Sequence, residues 1–213
     1  MRFGRLLHAR PLVVPFARWH TRRAHLHVVA GQPVWVPPGV FDPVLTKVGA
    51  WLAGAVGELV TPGERWLELG TGSGVVACAL ARAGATVVAT DLDPAAVQAA
   101  RVNAALGGLR IEVREGDLFA PVAGERFDAV VANLPFWPGD GADLPLGHAF
   151  GAGADFAILR RFGAEAPAFA PRVYTVLSEA FVRWPEARAA LGPSFRLHRR
   201  AWVRGEWLSL WGR

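Results

Sequence analysis

The stretch ELGTGSG, residues 68–74, decides the fold, because three glycines in it join a short apolar run to a helix-like segment. The run before it, RWLELG (65–70), has the composition of a buried strand, and VVACALARAG (75–84) has that of a helix. Glycine lets a backbone turn sharply and approach a ligand closely. The free N–H groups at the start of the following helix favour polar or negative ligand groups. The stretch therefore predicts a ligand-binding turn between a strand and a helix.

Strand-like and helix-like segments alternate on the C-terminal side of this turn. TVVATD (86–91) is β-branched and apolar, and Asp93-Pro94 begins a helix well, because Asp caps the helix and Pro has its φ preset. Further strand patterns occur at 110–117, 127–136 and 172–177, and helical patterns near 155–166 and 184–192. This alternation predicts βαβ units and a parallel sheet. The run at 110–117 alternates apolar and polar residues, so we expect it at an exposed edge of the sheet.

A hairpin is predicted on each side of this alternating region. HLHVVAGQPVWV (25–36) predicts an N-terminal hairpin that turns at Gly31-Gln32, and a helix from about Val44 to Val60 follows it. The C-terminal run at 195–211 predicts two strands joined at Arg204-Gly205.

Composition bounds the class of protein. The 213 residues are 52% hydrophobic and 19% charged, which excludes a disordered chain and suits one globular domain with a full core. The single cysteine, Cys78, excludes an intramolecular disulfide, so we expect a reducing, cytoplasmic location. The most apolar stretch, between Lys47 and Glu58, is ten residues long, whereas a membrane span needs about 20. We expect a basic arm and hairpin over residues 1–43 and the main domain over residues 44–213.

Charge divides the chain into three parts. Residues 1–30 carry six arginines and no acid, residues 31–182 carry an excess of acid, and residues 183–213 carry seven arginines and two glutamates. Basic ends suit a phosphate-rich or acidic partner, so RNA contact through the Arg-rich termini is one expectation. Of the 23 basic residues only Lys47 is lysine, so a general preference for arginine explains the same pattern equally well.

A carboxylate, Asp91, ends the strand after the glycine turn, 21 residues beyond Gly70. In nucleotide-cofactor folds a carboxylate near this place binds a ribose 2′-hydroxyl. The glycine spacing is G-x-G-x-G and not the G-x-G-x-x-G of dehydrogenases, which disfavours an NAD-dependent oxidoreductase. Glu68 lies just before the loop, where a carboxylate can meet a cationic amino group. A cofactor with ribose hydroxyls and an ammonium group but no phosphate is S-adenosylmethionine.

These residues resemble the class I S-adenosylmethionine-dependent methyltransferases, over roughly residues 34–211. The matching motifs are ELGTGSG, the acid of VVATDLDP, GDLF (116–119) and VVANLPF (130–136). The resemblance implies a Rossmann-like α/β fold, in which a seven-stranded, mostly parallel sheet of order 3-2-1-4-5-7-6 has helices on both faces. Here the N-terminal β-hairpin precedes that sheet. The cofactor that the resemblance implies is S-adenosyl-L-methionine.

The resemblance also implies which residues contact the cofactor. The glycine loop lies under its methionine part, Asp91 holds the ribose, Leu92 packs on the adenine, and Asp117 accepts from the adenine amino group with Leu118 alongside. The implied cofactor-binding residues are Glu68, Gly70, Thr71, Gly72, Gly74, Asp91, Leu92, Asp117 and Leu118.

The segment Asn133-Leu134-Pro135-Phe136 resembles the N-P-P-[YFW] signature of enzymes that methylate a planar nitrogen. An amide or base amino group is a poor nucleophile because its lone pair is delocalised. The Asn133 side-chain oxygen and the Leu134 backbone carbonyl can accept its two N–H groups, and Phe136 can stack on the planar group. The segment predicts catalysis by positioning and charge placement, without a covalent intermediate.

Several subfamilies share parts of this pattern. HemK-type glutamine methyltransferases share the hairpin, a PGVFxP-like loop (here PPGVFDP, 37–43) and an ending like RGEWLSLWGR (204–213), but have Pro where Leu134 stands. The motif NLPF is more similar to the N-L-P-Y motif of rRNA adenine dimethyltransferases than to N-P-P-[YFW]. The rRNA guanine methyltransferases of the methyltransferase small-domain group share the PGVF loop.

We expect N-methylation of a planar amide or amino nitrogen of a macromolecule, with protein glutamine as the first substrate class. The alternative is an adenine or guanine amino group of rRNA or tRNA. An oxygen or carbon target, and an inactive RNA-binding module of the same fold, stay open.

Three histidines have weaker assignments. His148, in LGHAFGAG, can line a substrate path. His25 and His27 alternate on one face of a predicted strand, but no cysteine or acidic cluster lies near them in the sequence, so no metal site is expected.

Overall fold

The computed structural model describes residues 19–29, 31–46, 48–136, 139, 151–179, 183–203 and 205–213. His148 and the first 18 residues of the basic arm lie outside these ranges. The strands are β1 (His25–Val29), β2 (Gln32–Val36), β3 (Arg65–Leu69), β4 (Thr86–Asp91), β5 (Ile111–Glu115), β6 (Ala129–Ala132), β7 (Arg172–Ser178), β8 (Arg196–Val203) and β9 (Glu206–Gly212). The α-helices are α1 (Pro43–Thr46), α2 (Val48–Gly57), α3 (Val75–Arg82), α4 (Pro94–Leu106), α5 (Ala157–Glu165) and α6 (Trp184–Ala190).

Seven strands form the main sheet in the order β5-β4-β3-β6-β7-β9-β8. The first five of these are parallel to one another, and β9 runs antiparallel to both β7 and β8. Numbered from β3, this is the predicted order 3-2-1-4-5-7-6, so the fold class is confirmed. The predicted edge position of β5 and the C-terminal hairpin are confirmed as well.

The central strand β3 is covered on both faces. Trp66 packs into the core on one face with apolar residues of α2, α3 and α4, and Leu67 and Leu69 pack into the core on the other face with residues of α5 and α6. All three side chains are fully buried. A continuous apolar run is what a parallel strand between two helical layers requires.

The N-terminal hairpin pairs Val29 with Gln32, so Gln32 is the first residue of β2. The turn predicted at Gly31-Gln32 is therefore wrong at Gln32. Gly31 has φ 77°, a value typical of the primed turns that suit the twist of hairpin strands, and that places Gly31 inside the turn. The helix expected from about Val44 to Val60 corresponds to α1 and α2, and its predicted end is wrong, because α2 ends at Gly57.

Asn103 on α4 fastens the hairpin to the main domain. Its side-chain oxygen accepts from the Trp35 backbone N–H at 2.7 Å, and its nitrogen donates to the carbonyls of Trp35 at 2.7 Å and Ser73 at 2.8 Å. The residue is fully buried, so these bonds are shielded from water. Gln32 adds a bond to the Asn103 carbonyl at 3.2 Å. One side chain thus joins the hairpin, α4 and the glycine loop.

The helices of the described ranges include none with the length and apolar character that a membrane crossing needs.

The first prediction concerns Asn103→Ala. The substitution leaves buried backbone groups of Trp35 and Ser73 without their partners, so we expect the free energy of unfolding to fall by about 2 kcal/mol. Urea denaturation measures this. Gln98→Ala is the matched control, since Gln98 is an exposed amide on the same helix, and its effect should stay within about 0.5 kcal/mol. Equal losses in the two variants would contradict the role of Asn103.

Candidate functional site

One pocket opens at the carboxyl ends of β3, β4 and β6, with a volume of about 550 Å³. This volume lies within the roughly 300–1,000 Å³ of pockets that bind small molecules and cofactors. Twelve of the thirteen residues that the sequence predicts for the cofactor and the target nitrogen line it. They are Glu68, Gly70, Thr71, Gly72, Asp91, Leu92, Asp117, Leu118, Asn133, Leu134, Pro135 and Phe136.

Gly74 is the predicted residue that does not line the pocket. A Cβ at this position would lie 3.0 Å from both Cα and Cβ of Ala100 on α4, and the backbone φ is 80°. Glycine is therefore needed here for close packing between the loop and α4, and not for contact with a ligand.

The turn after β3 is held by its own backbone. The Thr71 N–H donates to the Thr90 carbonyl at 3.0 Å, and the Gly74 N–H donates to the Thr71 carbonyl at 2.8 Å. Gly70 and Gly72 have φ values of 65° and 55°, in the left-handed region that glycine adopts without strain. The loop is thus fixed against β4, with Gly70, Thr71 and Gly72 on the pocket wall.

Glu68 is a buried carboxyl group inside the pocket wall. Its Oε2 accepts from the Thr71 hydroxyl at 2.6 Å. Burial raises the pKa of Glu68 to about 8, and the charge of Asp91 acts in the same direction against the hydrogen bonds from Thr71 and Ala77. A cation in the pocket would lower this pKa, because an opposite charge favours the ionised form.

The Asp91 carboxylate is oriented by two backbone groups. Oδ2 accepts from the Gly72 N–H at 2.8 Å, and Oδ1 accepts from the Asp93 N–H at 3.0 Å. Each carboxylate oxygen has a second lone pair, so the group can accept further hydrogen bonds from a ligand.

The third carboxylate of the pocket, Asp117, lies at its mouth. Its Oδ2 pairs with the Arg161 guanidinium of α5 at 2.8 Å, and both side chains are about half exposed. An exposed ion pair contributes at most about 1 kcal/mol, so it leaves Asp117 available to a ligand. The next residue, Leu118, is buried and has φ 44°. Such backbone strain in a leucine is a feature of ligand sites.

Leu92 and the segment after β6 form the rest of the predicted lining. The Leu92 side chain is 69% exposed at the pocket rim, where a planar ligand can cover it. Leu134 is buried against Gly70, where a Cβ would lie 3.4 Å from Leu134 Cδ2. This packing fixes the segment against the glycine loop and puts the half-buried Asn133 and Phe136 on the same pocket.

Further residues line the pocket that were not predicted, and two groups of them form walls away from the glycine loop. Val40 and Phe41, in the loop before α1, form one wall, and Ser178 at the end of β7 with Glu206 at the start of β9 form another. The Ser178 hydroxyl donates to Glu206. Glu206 is one of only two acids among the last 31 residues, and this scarcity is the sequence feature that could have marked it as a candidate. Near the N-terminus, the described lining comes from the loop after the hairpin and not from β1 or β2.

Asp42 holds the loop before α1, which carries the pocket residues Val40 and Phe41, in place. Its Oδ1 accepts from the Val44 N–H at 2.9 Å, and its Oδ2 lies 2.7 Å from Nε2 of both His20 and His27. Burial raises the pKa of Asp42, but the hydrogen bonds from His20, Val44 and His27 outweigh it and hold the pKa below its ordinary value. The carboxyl group is therefore ionised at neutral pH.

Comparison with known proteins identifies the family. The family model described as the methyltransferase small domain matches residues 37–163. The chain is 51% identical over 78 residues to a ribosomal protein L11 methyltransferase of Symbiobacterium thermophilum, covering 36% of this chain and 25% of that protein. It is 43% identical over 90 residues to a release factor glutamine methyltransferase of Moorella thermoacetica, covering 39% of this chain and 32% of that protein.

A solved structure supports the fold. A 16S rRNA methyltransferase of Thermus thermophilus, in complex with AdoMet and guanosine, superposes with a TM-score of 0.62 at 22% identity. The match covers 89% of this chain and 49% of that chain. The chain thus spans less than half the length of each of these three proteins. Because the family model covers more than half of the sequence, the chain belongs to the methyltransferase small domain family.

Proposed function

We propose that this protein is an S-adenosylmethionine-dependent methyltransferase that transfers a methyl group to the side-chain amide nitrogen of a protein glutamine. One observation carries the proposal: Asn133, Leu134 and Phe136 line the same pocket as Glu68 and Asp91. Groups that suit a planar N–H₂ therefore lie in one cavity with groups that suit the cofactor.

The pocket fits S-adenosylmethionine by the chemistry of its donors. Asp91 lines the pocket at the end of β4, where a carboxylate binds the ribose hydroxyls of a nucleoside cofactor. Glu68 faces the ammonium group of the methionine part. The positive charge of that group favours the ionised form of Glu68, which burial alone disfavours. Leu92 and Leu118 pack on the adenine, and Asp117 accepts from its amino group.

The chain's own groups position the nucleophile. When bound, S-adenosylmethionine supplies an electrophilic methyl group on its sulfonium. Asn133 Oδ1 and the Leu134 carbonyl accept the two N–H groups of the amide, which helps to localise the nitrogen lone pair. Phe136 stacks on the amide plane and limits its rotation. Orientation of this kind contributes several kcal/mol to barrier lowering in enzymes, without a covalent intermediate.

Two observations favour a protein over an RNA substrate. The release factor glutamine methyltransferase and the L11 methyltransferase, whose names state protein substrates, match at 43% and 51% identity. In addition, two arginines of the C-terminal hairpin pair with acids of the fold: Arg199 pairs with Glu58 at 2.6 Å, and Arg200 pairs with Glu179 at 2.9 Å. Arginines that pair with acids present less charge to a phosphate backbone.

The substrate class is tested by labelling. Extract from a strain that lacks the gene is incubated with the protein and S-adenosylmethionine labelled in its methyl group. We expect label in protease-sensitive material, and N5-methylglutamine after enzymatic digestion and mass spectrometry. Label that ribonuclease removes, in a methylated adenine or guanine, would replace the glutamine proposal with the RNA alternative.

Charge reversal separates the two substrate classes by a second route. We expect Arg22→Glu with Arg23→Glu, and Arg199→Glu with Arg200→Glu, to leave the rate on the protein substrate within about threefold, since neither pair lines the pocket. A steep loss of rate that depends on salt concentration would indicate contact with phosphates.

Asn133→Ala and Asp91→Ala should separate catalysis from cofactor binding. Asn133→Ala removes one acceptor for the target nitrogen, so we expect a rate loss of about 100-fold or more with the Kd for S-adenosylmethionine changed less than about threefold. Asp91→Ala should weaken the cofactor by about tenfold or more. Rates and calorimetric titration measure the two effects. Loss of cofactor binding in Asn133→Ala would show that this residue is misassigned.

Glu68 predicts a proton release on cofactor binding. With a pKa of about 8 the free carboxyl group is mostly protonated at pH 7, and a bound ammonium lowers that pKa, so the proton leaves to the buffer. Calorimetry in buffers of different ionisation enthalpy should show close to one proton released at pH 7, and affinity should rise as the pH rises from 6 to 8. Glu68→Gln should abolish the release. The control is Glu112→Gln, since Glu112 is an exposed residue of β5. This variant should release the same number of protons as the wild type. The same release from Glu68→Gln would exclude this role.

A further inference from the structure

Four potential metal ligands from three segments meet beside the loop that forms the pocket wall. His20 precedes β1, His25 and His27 lie on β1, and Asp42 lies in the loop before α1. One ligand atom from each of the four lies within 4.8 Å of all the others. The expectation of no metal site considered only neighbours in the sequence, and the fold brings His20 and Asp42 to the two strand histidines.

Strand β1 presents its histidines inward. His25 and His27 are half-buried, whereas Leu26 and Val28, on the opposite face of the strand, are 68% and 77% exposed. This is the reverse of the usual pattern, in which a strand buries its apolar side chains. The orientation indicates that the histidine face has a role other than filling a core.

Hydrogen bonds to backbone groups fix two of the four residues, while Nε2 of His20 and of His27 bond directly to Asp42 Oδ2, so a bound ion would replace the protons of these two bonds. His25 Nε2 donates to the His20 backbone carbonyl at 2.8 Å, which leaves His25 Nδ1 for an ion. Asp42 Oδ1 accepts from the Val44 N–H, which directs Oδ2 toward His20 and His27. Ligating histidines and carboxylates are commonly fixed by a second hydrogen bond of this kind.

We propose that His20, His25, His27 and Asp42 bind a divalent transition-metal ion, with Zn²⁺ as the best fit. Three imidazoles and one carboxylate suit a borderline cation with tetrahedral coordination. Metal–ligand distances of about 2.0–2.2 Å in a tetrahedron place ligand atoms about 3.3–3.6 Å apart. The distances here run from 2.7 Å to less than 4.8 Å and so bracket that spacing.

The ion would act on the pocket through the loop. Asp42 follows directly on Val40 and Phe41, which line the pocket, and the Gly39 N–H donates to the Thr21 carbonyl at 2.9 Å next to His20. Zn²⁺ would therefore fix this wall to the N-terminal segment. The binding of the ion does not rest on the proposed substrate, and its test needs no methyl transfer.

Cobalt titration tests the site in the full-length chain, freed of metal by a chelator and carrying no affinity tag. We expect one equivalent of Co²⁺ to give the strong visible absorption of four-coordinate cobalt, and Zn²⁺ to displace it. His27→Gln and Asp42→Asn should each weaken binding by about tenfold or more. The control is His198→Gln, because His198 lies on β8 against the Tyr174 ring and outside the cluster. It should bind as the wild type does.

Thermal unfolding supplies a second readout. Zn²⁺ should raise the Tm of the wild type and of His198→Gln, since an ion that binds only the folded state stabilises it. It should raise the Tm of His27→Gln much less. If Asp42→Asn does not fold, His25→Gln at a half-buried position takes its place. Absence of four-coordinate absorption at one equivalent, or equal binding by the cluster variants and the control, would overturn the proposal.

Discussion

Burial of β3 on both faces is the constraint on which the rest of the structure depends. A strand between two helical layers must be apolar along its length, and Trp66, Leu67 and Leu69 meet that requirement in two different cores. The parallel neighbours β4 and β6 end at the same edge as β3, so their following loops meet there. The pocket is a consequence of this arrangement, since open α/β sheets bind ligands at the carboxyl ends of their strands.

Glu68 is a buried polar residue in the otherwise apolar centre of β3. Because burial of a carboxyl group is unfavourable, its presence there indicates a functional role. A carboxyl group in this position has no contact with water, and this burial raises the pKa of Glu68 to about 8. A core position filled by leucine would be more stable, so the acid points to a charged ligand. Asp91 and Asp117 differ from it, because backbone groups and solvent, respectively, reach their oxygens. The three carboxylates thus have distinct environments, which is what the proposed binding of the amino, ribose and adenine parts of one cofactor requires.

Local patterns in the sequence predicted most of the fold and of the pocket. The strand order and most of the lining from Glu68 to Phe136 were implied by the family resemblance that four motifs at strand ends carry. The start of β2 at Gln32 and the end of α2 at Gly57 were missed, because such boundaries depend on tertiary packing. Gly74 was assigned to the ligand although it packs on Ala100. Contacts between residues far apart in the sequence could not be predicted from local patterns. Examples are those of Ser178 with Glu206 and of Asp42 with His20 and His27.

The central claim is that Asn133 and the Leu134 carbonyl hold the target nitrogen in the cofactor pocket. A crystal structure with S-adenosylhomocysteine and a glutamine-containing peptide tests it most directly. The account predicts the cofactor's ribose on Asp91 and its amino group on Glu68. It also predicts the glutamine nitrogen within about 3 Å of Asn133 Oδ1 and of the Leu134 carbonyl oxygen. A cofactor bound away from Glu68 and Asp91, or a glutamine amide turned away from Asn133, would contradict it.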